Sequence, residues 1–301
     1  MGNLLNEIAV AQAVNPIGGQ LGIGGGKTFW VSSVIGSNTN NGRSPQTPYS
    51  TLANAITKVT NDKNDVIYLM AGHAETTTAI AASKTGFSII GLGTGRLRPA
   101  LTATTAATDL LNVSGANIAI KNVRFVGAAS GCTALLDIGA ADFYGENLVF
   151  EHGAAPTDAI TVPASSHRFA LVDCIWRGTA AGPDKCIKFE GKVDDWRIVR
   201  PRAHYGGSSG LDDAFLFSSF KMKGYLIDNP IVVAFDTLAI DINSSSAAVG
   251  DGVCRDGTFI ASTTLTSIED AFDVGGCAFS QNFVCDDVSK TAGRAPITSA
   301  S

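Results

Sequence analysis

A series of short apolar runs constrains the fold of this chain more than any other feature. In each run a small or apolar residue is followed by a large apolar residue, usually a polar one, and another apolar one. The nine runs are 66–69, 89–92, 110–113, 135–138, 159–162, 186–189, 214–217, 239–242 and 271–274. Their alternation is typical of strands with one buried face. They recur every 21 to 32 residues without a 3.6-residue period, which excludes a helical repeat.

Polar residues mark the corners between these strands. Asn122, Asn147 and Asp173 each separate two further β segments, and Asn and Asp tolerate the left-handed backbone of a tight corner. An acidic residue also precedes several runs, which we interpret as a turn signal: Asp109, Asp158, Asp213 and Asp270. Two or three strands per unit with polar corners predict an all-β parallel solenoid, whose coils bury their inward side chains against each other. Nine coils would form a rod about 40 Å long.

The N-terminal part of the chain differs from the repeats. Residues 51–59 carry apolar residues at helical spacing after Ser50, a candidate N-cap, so we predict a helix that caps the first coil. The preceding apolar and Gly-rich stretch predicts an extended anchoring arm, whose contact residues would be Leu4, Leu5, Ile8, Val10 and Val14. The predicted parts are the arm 1–28, the entry and cap 29–63, the β-helix 64–289 and a C-terminal tail 290–301.

The composition excludes several classes of protein. Charged residues make up 16% of the chain, against about 25% in an average domain. The net charge of −5 and the lack of a basic block argue against an electrostatic nucleic-acid binder. No run reaches the roughly 18 apolar residues of a membrane span. The 33 glycines suit tight corners. The scarcity of charged residues suits a surface on which rods pack side by side.

We predict neither a metal site nor a cofactor. The six cysteines contain no C-x-x-C pair and the four histidines are scattered, whereas zinc ligands come at short, regular spacing. The segment 22–28 ends in Gly-Lys-Thr, but Leu21 stands where a phosphate-binding loop needs its first Gly.

Two stretches resemble a known family. Residues 29–56 are similar to the opening of pectate-lyase-like right-handed parallel β-helix modules, through Gly36-Ser37-Asn38, Asn40-Asn41-Gly42, Ser44-Pro45 and Pro48-Tyr49-Ser50-Thr51-Leu52. Residues 65–75 resemble the first coil of those modules, and residues 91–99 resemble the second corner. The likeness is close over residues 29–125 and is a repeat pattern beyond them. It implies a right-handed parallel β-helix of about nine coils.

Within this family the chain looks most like short β-helix proteins of tailed-phage virions. The resemblance implies a structural protein rather than an enzyme, which decorates or cements the capsid surface as a homotrimer. Its expected partners are the major capsid protein, bound through the arm, and its own copies, with neither nucleic acid nor membrane. We expect synthesis in the host cytoplasm, because the N-terminus lacks the basic and apolar regions of a secretory signal.

The alternative is a tail-spike-like protein that binds or depolymerises polysaccharide as a lyase or hydrolase. Its partner would be a host-surface glycan. The candidate catalytic residues are Glu146, Asp173, Arg197 and Arg200, because residues 27 apart stack in neighbouring coils and place carboxylates beside an arginine. The aromatic residues Trp176, Trp196, Tyr205 and Tyr225 could supply a sugar platform.

Overall fold

A computed structural model defines the fold over most of the chain. It describes residues 25–104, 108–128, 131–152, 157–178, 185–205, 214–218, 220, 222–235, 238–242, 251–261, 272–274, 278–280, 283–286 and 295–296. Within these residues three stacked sheets run the length of the molecule, and every strand pair is parallel except the last. The predicted all-β parallel solenoid is therefore confirmed. The predicted arm residues Leu4, Leu5, Ile8, Val10 and Val14 lie outside the described residues.

Strands are numbered along the chain and grouped into sheets A, B and C. Sheet A contains β1 Thr28–Val31, β2 Asp65–Leu69, β5 Phe87–Gly91, β8 Ile118–Lys121, β11 Tyr144–Glu146, β14 Ala170–Val172, β17 Arg197–Val199, β20 Lys223–Asp228, β23 Asp251–Arg255 and β26 Ala278–Ser280. Sheet B contains β3 Ala74–Thr77, β6 Ala100–Ala103, β9 Arg124–Gly127, β12 Val149–His152, β15 Ile175–Gly178, β18 Arg202–Tyr205, β21 Ile231–Phe235, β24 Thr258–Ala261, β27 Phe283–Asp286 and β28 Ala295–Pro296. Sheet C contains β4 Ile80–Ala82, β7 Leu111–Val113, β10 Ala134–Ile138, β13 Asp158–Val162, β16 Lys185–Phe189, β19 Ala214–Ser218, β22 Leu238–Ile242 and β25 Phe272–Val274.

The chain visits the sheets in the order A, B, C, so that residues one coil apart become register partners. Leu136 of β10, for example, pairs with Leu111 of β7 and Ile160 of β13. The predicted runs divide between two sheets. The first two runs fall on β2 and β5 of sheet A, and the later ones fall on sheet C.

Stacked aromatic rings fill the interior. Phe150 lies 5.2 Å from Phe125 and 5.3 Å from Trp176, measured between ring centroids. Trp196 lies 4.7 Å from Tyr225. Both tryptophans are completely buried and Tyr225 is 4% exposed. The prediction that these three rings form a sugar platform is therefore wrong, because they pack in the core. The side chain of Tyr205 lies outside the described part.

The corner between sheets A and B repeats a left-handed residue. Asn122, Asn147 and Asp173 have φ of 56°, 54° and 54°, which confirms the predicted corners. The Asn122 side-chain amide donates to the carbonyl oxygens of Gly91 and Gly93, each at 2.8 Å. Asn147 donates in turn to Oδ1 of Asn122 at 3.1 Å. The polar corner residues thus link successive coils by a ladder of side-chain hydrogen bonds.

One α-helix occurs in the described residues, α1 at Leu52–Lys58. Its N-cap is Thr51, whose Oγ1 accepts from the Asn54 amide, so the prediction of Ser50 as N-cap is wrong. The buried Glu75 carboxylate accepts the Leu52 amide at 2.7 Å and contacts His73 Nε2 at 3.3 Å. A single-turn 3-10 helix spans Gly95–Leu97. Neither helix has the length and apolarity needed to cross a bilayer.

Candidate active site on sheet C

The structure brings together two of the residues predicted as catalytic. Arg200 donates from Nε and Nη2 to the two carboxylate oxygens of Asp173, each at 2.7 Å. Both residues occupy left-handed corner positions between sheets A and B and are about half exposed. Hydrogen bonding to Arg200 holds the pKa of Asp173 below its usual range. A carboxylate that stays ionised and paired cannot donate a proton near neutral pH.

Glu146 and Arg197 lie outside this ion pair. The register partners of Glu146 are Lys121 and Val172, so its predicted stacking on Asp173 is wrong by one position, although it lies in the neighbouring coil. Lys121 Nζ lies 2.8 Å from Glu146 Oε2. Arg197 begins β17, three residues before the corner. Glu146 thus pairs with Lys121 instead of joining Asp173 and Arg200.

A polar column runs across the outer face of sheet C instead. Asn112 of β7, Asp137 of β10, Thr161 of β13 and Lys188 of β16 occupy equivalent register positions in consecutive strands. The neighbours of Asp137 in β10 are fully buried, which assigns Asp137 to the outward face. Neighbouring members of the column are about one strand spacing apart, roughly 4.8 Å.

Asp137 is the most perturbed carboxyl of this column. Its Oδ2 accepts the Asn112 amide at 2.5 Å, and its Oδ1 accepts the Thr161 hydroxyl at 3.2 Å. Only 8% of the residue is exposed. Burial, aided by the negative charges of Asp109 and Glu190, raises the pKa of Asp137 from 3.8 to about 6. Asp137 therefore holds a proton across the mildly acidic range, where an ordinary aspartate is ionised.

Asp109 supplies a second carboxyl beside this column. It lies two residues before Leu111, which pairs with Leu136 of β10. Its Oδ1 is buried without a hydrogen-bond partner. Burial and then the charge of Glu190 raise the pKa of Asp109. Asp109 and Asp137 are thus two carboxyl groups with raised pKa values, and the charge of Asp109 contributes to the shift of Asp137.

An ion-pair chain borders the column on the side of β16. Lys188 Nζ lies 3.3 Å from Asp158 Oδ2 and 3.3 Å from Glu190 Oε1. Burial alone would lower the pKa of Lys188, but the two carboxylates raise it above its usual value. Asp158 is only 1% exposed. Lys188 therefore places two paired carboxyl groups, Asp158 and Glu190, beside the column that contains Asp137.

This arrangement combines Asp137, a carboxyl group with a raised pKa, with two carboxyl groups paired to a lysine. Carboxyl groups whose surroundings separate their pKa values can divide the roles of general acid and of general base or nucleophile. Cleavage of a glycosidic bond needs such a pair. Among the described residues, no group of His, Cys, Asp and Glu side chains has the arrangement of a metal site.

The sequence contains signals for this site, but each has a simpler interpretation. Asp109 and Asp158 precede strands, where an acidic residue indicates a turn. Asp137 and Lys188 occupy the polar third position of their runs, where solvent exposure is the simplest interpretation. Alignment of the runs by coil would place these two positions in one column. The perturbed protonation of Asp137 depends on burial by neighbouring coils, which the sequence pattern does not report.

Comparison with known proteins identifies solved structures with a similar fold. No family model and no curated protein matches the sequence. A rhamnogalacturonan lyase matches 90% of this chain at 15% identity with a TM-score of 0.53, and the chain spans 65% of that lyase's length. Pectin methylesterase from carrot matches 90% of this chain and 86% of its own length, at 13% identity and a TM-score of 0.51. A protein of Geobacillus virus E2, ORF18, matches 81% of this chain and 59% of its own length, at 11% identity and a TM-score of 0.46.

These matches correct one prediction and support another. The prediction that the chain is not an enzyme is contradicted, because the solved structures it resembles are mostly enzymes that process polysaccharides. The predicted resemblance to pectate-lyase-like proteins is confirmed for the fold. At identities of 9 to 15% the likeness shows the fold alone, and on it this chain is a parallel β-solenoid of the pectate-lyase-like kind.

Proposed function

We propose that this protein cleaves glycosidic bonds of a polysaccharide, with Asp137 as the general acid. The observation that carries the proposal is the buried Asp137 carboxyl on the outer face of sheet C, held by Asn112 and Thr161 with a pKa raised to about 6. Asp158 and Glu190 are the candidates for the second carboxylate. Both pair with Lys188, and a base or a nucleophile must be ionised.

The sign of the pKa shift sets the expected pH dependence. A general acid must be protonated, so turnover that depends on Asp137 should fall as the pH rises above about 6. One of the carboxyl groups paired with Lys188 would be the base or nucleophile, which must be ionised for the reaction. The expected pH optimum is therefore mildly acidic, and the loss of activity on its alkaline side should follow the ionisation of Asp137.

Two matched substitutions test the assignment. We expect Asp137→Asn to lower turnover of a host-type polysaccharide about 100-fold or more, because positioned proton transfer contributes roughly that much. Asp173→Asn makes the same substitution at the corner, away from the proposed acid, and should leave turnover nearly unchanged. The measurement is release of reducing ends or unsaturated products. Loss of activity in Asp173→Asn with full activity in Asp137→Asn would move the site to the corner.

We further propose that the protein acts on the surface of a phage particle, as a homotrimer that decorates the capsid. The resemblance of the chain to short β-helix proteins of tailed-phage virions supports this location. Residues 1–28 would bind the major capsid protein through their apolar residues. A variant lacking residues 1–28 should lose particle binding and keep the activity of sheet C. Sedimentation of the free protein tests the trimer.

The finer architecture is part of the same proposal. We infer about nine right-handed coils with α1 as the cap of the first coil. Support comes from the contacts of α1 with β1, β2 and β4 at the N-terminal ends of sheets A and C, and from the burial of Leu52, Ala55 and Ile56. A cap at this end would cover strand edges that otherwise invite pairing with other chains.

A further inference from the structure

The outer face of sheet B gathers arginine side chains from several coils. Arg124 lies on β9, Arg177 on β15 and Arg202 on β18, and all three point away from the core. Arg98 lies just before β6. Burial lowers the pKa of Arg98, and the nearby charges of Arg177 and Arg124 lower it further. We call Arg98, Arg124, Arg177 and Arg202 the arginine surface.

The arginine surface is short of negative charge. Glu151 of β12 is the one carboxylate among the described outward side chains of sheet B. It is shared by Arg124, whose Nη1 lies 3.2 Å from Oε2, and by Arg177, whose Nε lies 2.8 Å from Oε1. Asp173, near Arg202, is already occupied by Arg200. Four guanidinium groups thus face one shared carboxylate on a chain whose net charge is −5.

Hydrogen-bonding capacity in the arginine surface is also unused. The Nε atoms of Arg98 and Arg124 are buried without a hydrogen-bond partner. The hydrogen bond of Arg98 goes to the neutral Asn147 side chain at 3.0 Å. Like charges held together are unfavourable, and an anion bound over the exposed guanidinium nitrogens would relieve that repulsion.

We propose that the arginine surface binds a carboxylate-bearing polysaccharide that lies along the solenoid axis. Arg124 and Arg202 occupy equivalent positions three strands apart, a separation of about 14 Å. A single small anion cannot span that distance, whereas a polysaccharide with repeated carboxylates can contact both arginines. Guanidinium groups match carboxylates in geometry through paired N–H donors.

This surface lies on a different sheet from Asp137, so the inference goes beyond the proposed cleavage. It would hold the substrate chain, or a neighbouring stretch of it, without taking part in the reaction. Binding should therefore survive Asp137→Asn. A failure of cleavage leaves this inference standing, and a failure of binding leaves the assignment of Asp137 standing.

The test measures binding of alginate oligosaccharides to the full chain by calorimetry at low salt. We expect Arg177→Gln and Arg124→Gln each to weaken binding about tenfold, because each removes a charge-assisted contact. Arg168→Gln is the matched control, since this exposed arginine pairs with Asp142 at the corner between sheets C and A. It should change affinity less than about twofold. Binding should also weaken as salt rises.

Several outcomes would overturn the inference. One is that wild-type protein binds alginate no better than it binds neutral dextran. Another is that Arg168→Gln weakens binding as much as Arg177→Gln, which would reduce the effect to overall charge. Tighter binding of duplex DNA than of alginate would reassign the surface to nucleic acid. Thermal unfolding of each variant separates loss of binding from loss of fold.

Discussion

At the scale of single residues, Asp137 couples stability to pH. Its pKa is about 6 in the folded chain and near 3.8 when unfolded. Below about pH 4 the carboxyl is protonated in both states, and the stabilisation by the raised pKa is complete. Between about pH 4 and pH 6 the unfolded chain ionises while the folded carboxyl keeps its proton, so up to about 3 kcal/mol of stability is lost, and the loss levels off as the pH rises above 6.

Asp137→Asn removes this titration. We expect wild type to lose stability relative to the variant between about pH 4 and pH 6, and the difference to level off above pH 7. Urea unfolding at a series of pH values measures it. A difference between the two proteins that stays constant with pH would show that Asp137 ionises like an exposed aspartate.

A second residue-scale prediction concerns Asn122 in the corner ladder. Ala at this position loses the hydrogen bonds to Gly91 and Gly93 and keeps a Cβ at φ 56°. Gly loses the same hydrogen bonds without the left-handed strain. We expect Asn122→Ala to be less stable than Asn122→Gly by about 1–2 kcal/mol, and both to be less stable than wild type. Equal stabilities would remove the backbone argument for this corner.

At the scale of elements, α1 depends on a carboxylate from another strand. Glu75 of β3 accepts the amide of Leu52 at the first turn of the helix, and both groups are buried. Glu75→Ala leaves that amide without a partner, which costs about 1–3 kcal/mol. Glu75→Gln keeps an acceptor oxygen and should lose much less. Amide exchange of residues 52–58 measures the effect, and equal exchange in both variants would contradict it.

Strands and corners could be predicted where the residues that determine them are neighbours in the sequence. The strands of sheet C from β7 onward and the corners at Asn122, Asn147 and Asp173 follow from alternation and from a preference for left-handed backbone, which neighbours in sequence determine. Strand β4 was not among the predicted apolar runs, because Ile80-Ala81-Ala82 contains only one large apolar residue. The N-cap lies one residue beyond its predicted position. There the Asn38 Oδ1 atom accepts the Ser50 amide, a contact that no local rule predicts.

The candidate site was less predictable than the elements. Pairing of Asp173 with Arg200 needed only the repeat length, and the structure has it. The predicted stacking of Glu146 on Asp173 was off by one position, because the register is set by the pairing of each strand, and Glu146 instead pairs with Lys121. Asp137 could not be chosen from the sequence, since its protonation depends on burial by other coils.

At the scale of the whole molecule, each coil contacts the coils directly above and below it, so stability should spread only to near neighbours. Phe150 stacks between Phe125 and Trp176 in the middle of sheet B. Phe150→Ala opens a cavity that costs about 3–5 kcal/mol. Hydrogen exchange should speed up in β9, β12 and β15 and stay unchanged in β2 and β3.

Phe259→Ala, in β24, is the matched control and should leave exchange in β9 unchanged. Uniform acceleration along the chain in either variant would show that the solenoid unfolds as one cooperative unit, which nearest-neighbour packing does not predict.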